Sequence, residues 1–196
     1  MRLEDLITNT AKKSWDLFKK QFVALIVGSL IALILMIFIV TIPPLVFGIY
    51  YMCVQMVNGK KIQIKDVFKG FRYFWRSWGI AILALLGIAI GLVLLIIPGL
   101  ILIVLWQYVI AVSLIENLGV IDSLKRSYNL AKNNFAFSIV FLILTAVLSS
   151  LGGITRIGIL LTIPFTTLWT VVAAKALISQ TKSIKASKPV KKKKKR

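Results

Sequence analysis

The chain has 196 residues, 59% of them hydrophobic, and sets 25 Lys and Arg against 6 Asp and Glu for a formal net charge of +19. The hydrophobic share exceeds the ~45–50% of soluble domains. The absence of His removes an imidazole base and His metal ligation, and the single cysteine, Cys53, removes an internal disulfide and every multi-cysteine metal site.

In chain order, a basic stretch over residues 1–20 is followed by an uncharged tract, 21–59. Two more long tracts follow, 77–115 without charge and 133–174 with Arg156 alone. The opening stretch lacks a short apolar core ahead of a small-residue cleavage site, so no removable signal peptide is expected. At 1.5 Å per residue, the 39 residues of the first tract would extend about 58 Å. A hydrocarbon core of ~30 Å fits two crossings from such a tract and is too thin for one. Helix-breaking residues stand mid-tract: Pro43-Pro44, Pro98-Gly99, and Gly152-Gly153 followed by Gly158. The expected fold is an all-α integral membrane protein of about six transmembrane helices in three hairpins, 21–42 with 44–57, 78–97 with 99–116, and 135–151 with 158–178. The 44–57 arm is short, and Pro164 falls inside the last arm.

Twenty-four of the 25 basic residues flank these tracts, Arg156 at the third turn being the exception. If every tract is a hairpin, those cations share one side, and the positive-inside rule makes it cytoplasmic, with both termini inside a multi-pass cell membrane protein.

The basic stretches repeat. With Asn9, Asp66 and Asp122 in register, Lys12, Lys69 and Lys125 align, as do Lys19, Arg76 and Lys132. KKSWDLFKKQF (12–22) matches KRSYNLAKNNF (125–135) most closely. Asn9, Asp66 and Asp122 are suited to N-capping. At ~100° per residue, Ala11/Phe68/Leu124, Phe18/Trp75/Ala131 and Phe22/Gly79/Phe135 share one face. The expectation is an interfacial amphipathic helix before each hairpin, its apolar side in the acyl boundary and its Lys stems reaching headgroups. The domain reading is a single membrane domain, 1–186, of parallel units 9–57, 66–116 and 122–178, ahead of a disordered polybasic tail, 187–196.

DVFKGF (66–71), IIPGLIL (96–102) and IDSLKRSYNLAKNNF (121–135) together resemble a multi-span prokaryotic membrane family of unknown function, typified by the membrane domain attached to some glycerophosphodiester phosphodiesterases. The resemblance covers roughly residues 44–178 and implies a helical membrane bundle, with no catalytic residues. Without His the chain cannot supply the phosphodiesterase chemistry, so the substrate class does not carry over.

The acids, Glu4, Asp5, Asp16, Asp66, Glu116 and Asp122, all fall outside the apolar tracts, leaving acid–base or metal catalysis no visible home. No enzyme and no cofactor is expected. The sequence instead offers anionic-lipid or phosphate contacts at Lys12, Lys19, Lys69, Arg76, Lys125 and Lys132, and in the tail at Lys188, Lys191, Lys192, Lys193, Lys194, Lys195 and Arg196. Gln55, Gln107 and Arg156 are candidates for a polar lining. Gly87 and Gly91 form a small-xxx-small pair, within the chain or between copies. The reading is a non-enzymatic protein that organises or shapes the membrane and binds anionic lipid. Two rivals stay open: a small-solute transporter or pore-forming homo-oligomer, and an insertion or assembly factor whose tail meets ribosomal RNA.

Overall fold

A computed structural model describes residues 3–35, 39–154 and 158–187. Every regular element among them is helical: α1 Leu3–Lys20, α2 Phe22–Leu35, a 3-10 turn Ile39–Thr41, α3 Ile42–Val57, a 3-10 segment Ile64–Tyr73, α4 Phe74–Leu94, α5 Ile96–Trp106, α6 Val109–Ile115, α7 Val120–Asn133, α8 Phe135–Ile154 and α9 Gly158–Ser187. Four stretches are long and apolar enough to cross a membrane: Ile64–Leu94, Ile96–Ile115, Phe135–Gly152 and Leu161–Ser183. The first hairpin is shorter. Its 14-residue α2 and 16-residue α3 rise about 21 and 24 Å, below the ~30 Å of a hydrocarbon core.

The breaks precede the prolines. Pro43 and Pro44 occupy the first turn of α3, and Pro98 that of α5. The α4–α5 turn is made at Leu95, in extended backbone at φ −159°, ψ 129°. First-turn N–H groups have no acceptor within a helix, so proline loses nothing there and its fixed φ suits the helical start. Gly152-Gly153 do not interrupt α8, which continues to Ile154. Arg156 lies outside the described residues. Pro164 is inside α9, where the Thr166 and Thr167 hydroxyls donate to the carbonyls of Thr162 and Ile163, each at 2.8 Å. A break with no sequence signal divides α5 from α6 at Gln107-Tyr108.

The expected capping is corrected by three positions or more. Asp66 and Asp122 stand third in their segments, behind Gln63 and Gly119, and Asp66 Oδ2 accepts the Gln63 backbone N–H at 2.8 Å. Asn9 is interior to α1, because Glu4 and Asp5 favourably open that helix earlier, at its positive end.

The stripes on α1 and α7 face protein, which corrects the expected burial in the acyl boundary: Phe18 is 4% and Ala131 0% exposed. Small polar residues on the same faces make this close packing workable. Thr10 accepts from the Trp169 indole at 3.3 Å, Phe18 meets the Phe165 ring at 5.6 Å, and Ser127 donates to the Leu105 carbonyl at 2.8 Å. Thus α1 crosses α9 in the antiparallel sense. The middle unit differs, with a 3-10 segment of ten residues and with Trp75 85% exposed.

At the centre lies α3, packed on α2, α4, α6, α9 and the 3-10 segment. Gly48 meets the Val67 backbone and Gly70 the Pro44 backbone so closely that a Cβ on either would overlap main-chain atoms. Leu45, Met52, Cys53 and Met56 are fully buried among Leu168, Val171 and Leu177 of α9. The turn of the first hairpin rests on the start of α4, where Trp78 Nε1 donates to the Val40 carbonyl at 3.1 Å. In the α4–α5 hairpin, Gly87 receives the Trp106 ring and Gly91 the Gly99 backbone. The outer face of α4 is apolar and open, Val93 being 86% exposed, as suits a lipid-facing surface and not water.

Candidate anion-binding collar

Three basic segments lead directly into apolar helices: α1 into α2, the 3-10 segment into α4, and α7 into α8. At each junction a cation sits over an aromatic ring. Lys19 Nζ is 5.8 Å from the Trp15 centroid, Arg76 Cζ 5.2 Å from that of Tyr73, and Lys132 Nζ 5.6 Å from that of Tyr128. These cations are the aligned set of the sequence register, and each ring lies one helical turn earlier on the same face. Lys69 Nζ likewise stands 5.5 Å from the Tyr51 centroid while pairing with Asp66 at 2.8 Å. Lys12 and Lys125 are exposed. Lys188, Lys191 to Lys195 and Arg196 lie outside the described residues.

Three of the six acids, Asp16, Asp66 and Glu116, pair with cations. Glu116 receives two hydrogen bonds from Arg126, at 2.8 and 2.9 Å, and that guanidinium holds its carboxyl below the usual range although partial burial opposes the shift. Asp16 pairs with Lys19 at 3.5 Å.

Two cavities adjoin the C-terminus of α3. The first, of about 220 Å³, takes Lys13 of α1 and Lys175 of α9. Lys175 Nζ donates to the Val57 carbonyl at 3.3 Å and to Asn58 Oδ1 at 2.6 Å, a cation at the negative end of α3. The second, of about 470 Å³, collects Gln55, Arg72 and Arg76 with Tyr51 and Tyr73. Sequence reasoning named Gln55 and Arg76 but missed Arg72, Asn58, Asn117 and Lys175. FRYFWR (71–76), with two arginines about a tyrosine, was the available signal for Arg72; nothing local marked the asparagines.

The other lining candidates do not join this cavity. Gln107 Nε2 donates to the Val104 carbonyl at 2.9 Å and the Ser138 carbonyl at 3.0 Å, tying the α5 end to α8. Gln21, unremarked in the sequence, clamps the 58–63 loop: its Nε2 donates to the Lys60 carbonyl at 3.0 Å and its Oε1 accepts the Ile62 N–H at 2.6 Å. Among the described residues no group of three or more Cys, Asp or Glu is placed to hold a metal ion.

No family model, curated protein or solved structure matches the chain. The resemblance carried by IIPGLIL and its neighbours therefore rests on those residues alone.

Proposed function

We propose that this chain is a non-enzymatic membrane protein that organises the bilayer from its cytoplasmic face and holds anionic phospholipid in a basic collar. The observation that carries the reading is the threefold recurrence of a cation over an aromatic ring, Lys19 on Trp15, Arg76 on Tyr73 and Lys132 on Tyr128, where a basic segment enters an apolar helix. An aromatic ring at the interface sits at headgroup level, and the cation above it keeps its remaining donors free for phosphate oxygens. Each cation adjacent to an anionic surface contributes about 1 kcal/mol. The three hairpin units, with both termini cytoplasmic, follow from the shared side of the cations under the positive-inside rule. The tail SKPVKKKKKR adds seven positive charges to the same surface.

Native mass spectrometry of the detergent-solubilised full chain, offered equimolar phosphatidylglycerol and phosphatidylcholine, tests this. Preferential retention of phosphatidylglycerol is expected, weakened by deletion of 187–196. Equal retention of both lipids would remove the reading.

A further inference from the structure

The cavity between α3, the start of α4 and the α6–α7 turn is lined by hydrogen-bond donors with no carboxylate among them. An ammonium only donates, so the Asn58 atom facing Lys175 Nζ at 2.6 Å is its oxygen, and the Asn58 amino group is left over. The same argument holds for Asn117, whose Oδ1 accepts from Arg76 Nη1 at 3.0 Å. Asn117 holds that place from a left-handed backbone, φ 50°, the one non-glycine positive φ among the described residues. Arg76 is thus fixed from two sides, by the Tyr73 ring and by Asn117. The Arg72 side chain makes no hydrogen bond or ion pair to any described residue. The nearest acid in sequence, Asp66, is engaged by Lys69 and the Gln63 N–H, and Glu116, beside Asn117, by Arg126. Two guanidiniums and spare amide donors therefore converge on about 470 Å³, and Val54, Leu114 and Ile115 supply an apolar wall.

We propose that Arg72 and Arg76 bind a phosphate ester, its oxygens in the guanidinium forks and its carbon-bearing side against Val54, Leu114 and Ile115. Guanidinium geometry matches the paired oxygens of phosphate, and the donor surplus leaves an anion as the complementary occupant. This rests on the collar's reading as an anionic-lipid surface and narrows it to one site and one chemical group. The ester is either a phospholipid headgroup or a soluble molecule.

The test measures retention by the full chain in detergent of phosphatidylglycerol, phosphatidylcholine and glycerol 3-phosphate, each offered separately. The variants are Arg72→Gln, Arg72→Gln with Arg76→Gln, and Lys60→Gln with Lys61→Gln, two exposed lysines outside the cavity, as a charge-matched control. Loss of charge-assisted hydrogen bonds predicts about tenfold weaker binding in the double arginine variant. The lysine control should stay within about twofold, as surface charges do. Dependence of phosphatidylglycerol on the arginines assigns a lipid headgroup; the same dependence for glycerol 3-phosphate alone assigns a soluble ester. If wild type prefers phosphatidylglycerol and the arginine variants bind like wild type, the site is overturned while the collar stands. If wild type retains neither anion, both fall. Arg72→Gln alone keeps the test valid should the double variant misfold, because the Arg72 side chain makes no hydrogen bond or ion pair to a described residue.

Discussion

Glu116 and Arg126 show how single residues divide the labour of charge. Their side chains are 19% and 22% exposed, and two short hydrogen bonds join the turn after α6 to α7. Replacement by Glu116→Gln strands the guanidinium and is expected to lower stability by about 1–3 kcal/mol near neutral pH, read by thermal unfolding in detergent. Because the carboxyl is held below its ordinary value, the stability it contributes is present above the unfolded pKa of about 4.3 and is lost as pH falls through the folded value. The gap between wild type and variant should therefore narrow below about pH 4 and vanish under stronger acid. A constant gap across that window would show that the pair's charge is irrelevant. At this scale the cations of the collar were legible from their position beside apolar tracts. Which acid neutralises which cation was not: Glu116 and Arg126 meet only because Asn117 and Gly119 turn the chain between them.

Elements obey a harder constraint, backbone against backbone. Gly48 on α3 and Gly70 on the 3-10 segment each face a main-chain neighbour that cannot rotate away. Gly48→Ala and Gly70→Ala should each destabilise by about 3 kcal/mol, the upper range of overpacking, because the neighbour is main chain. Gly28 is the contrast. Its added Cβ would meet Met52 Sδ and Cε at 2.9 and 2.7 Å, the mobile end of a flexible side chain, and the substitution also raises helix propensity. Gly28→Ala should leave the melting temperature near that of wild type, and equal losses at all three glycines would defeat the distinction. The apolar arms were readable from tract length, because two crossings need about forty greasy residues. Break positions slipped by a few residues, since Pro98 marks where a helix is allowed to begin and Leu95 where the chain turns. The Gln107-Tyr108 break left no mark because the Val104 carbonyl at the end of α5 finds a donor in the Gln107 amide and no breaker residue was needed.

For the molecule as a whole, the α2–α3 and α4–α5 hairpins are unequal. The α4–α5 tip is open, with Ile97 71% exposed, whereas the first hairpin is short and its turn is held by Trp78. In a Cys53→Ser background, which removes only a fully buried thiol, a membrane-impermeant maleimide added outside intact cells should label Ile97→Cys readily. It should label Ile42→Cys at least about tenfold more slowly, because the α2 and α3 arms are shorter than the ~30 Å barrier. Equal labelling at both positions would place the first turn at the far surface, and an unlabelled Ile97→Cys would remove the crossing of the second hairpin. The overall helical membrane class was legible because the solvent imposes it. The inward packing of α1 and α7 was not, since an amphipathic stripe has the same period whether it meets lipid or protein.

The glycines of α4 carry a consequence for how copies meet. Gly87 and Gly91 are filled by Trp106 and Gly99 of the same chain, so the notch that draws helices together is already consumed within one molecule. What α4 turns outward is Leu85, Ile90 and Val93, branched aliphatics that acyl chains solvate as well as another helix would. Through this face a second copy gains nothing over the surrounding lipid. Single-molecule photobleaching of a fluorescent fusion in dilute vesicles should accordingly count solitary wanderers, one dark step per spot.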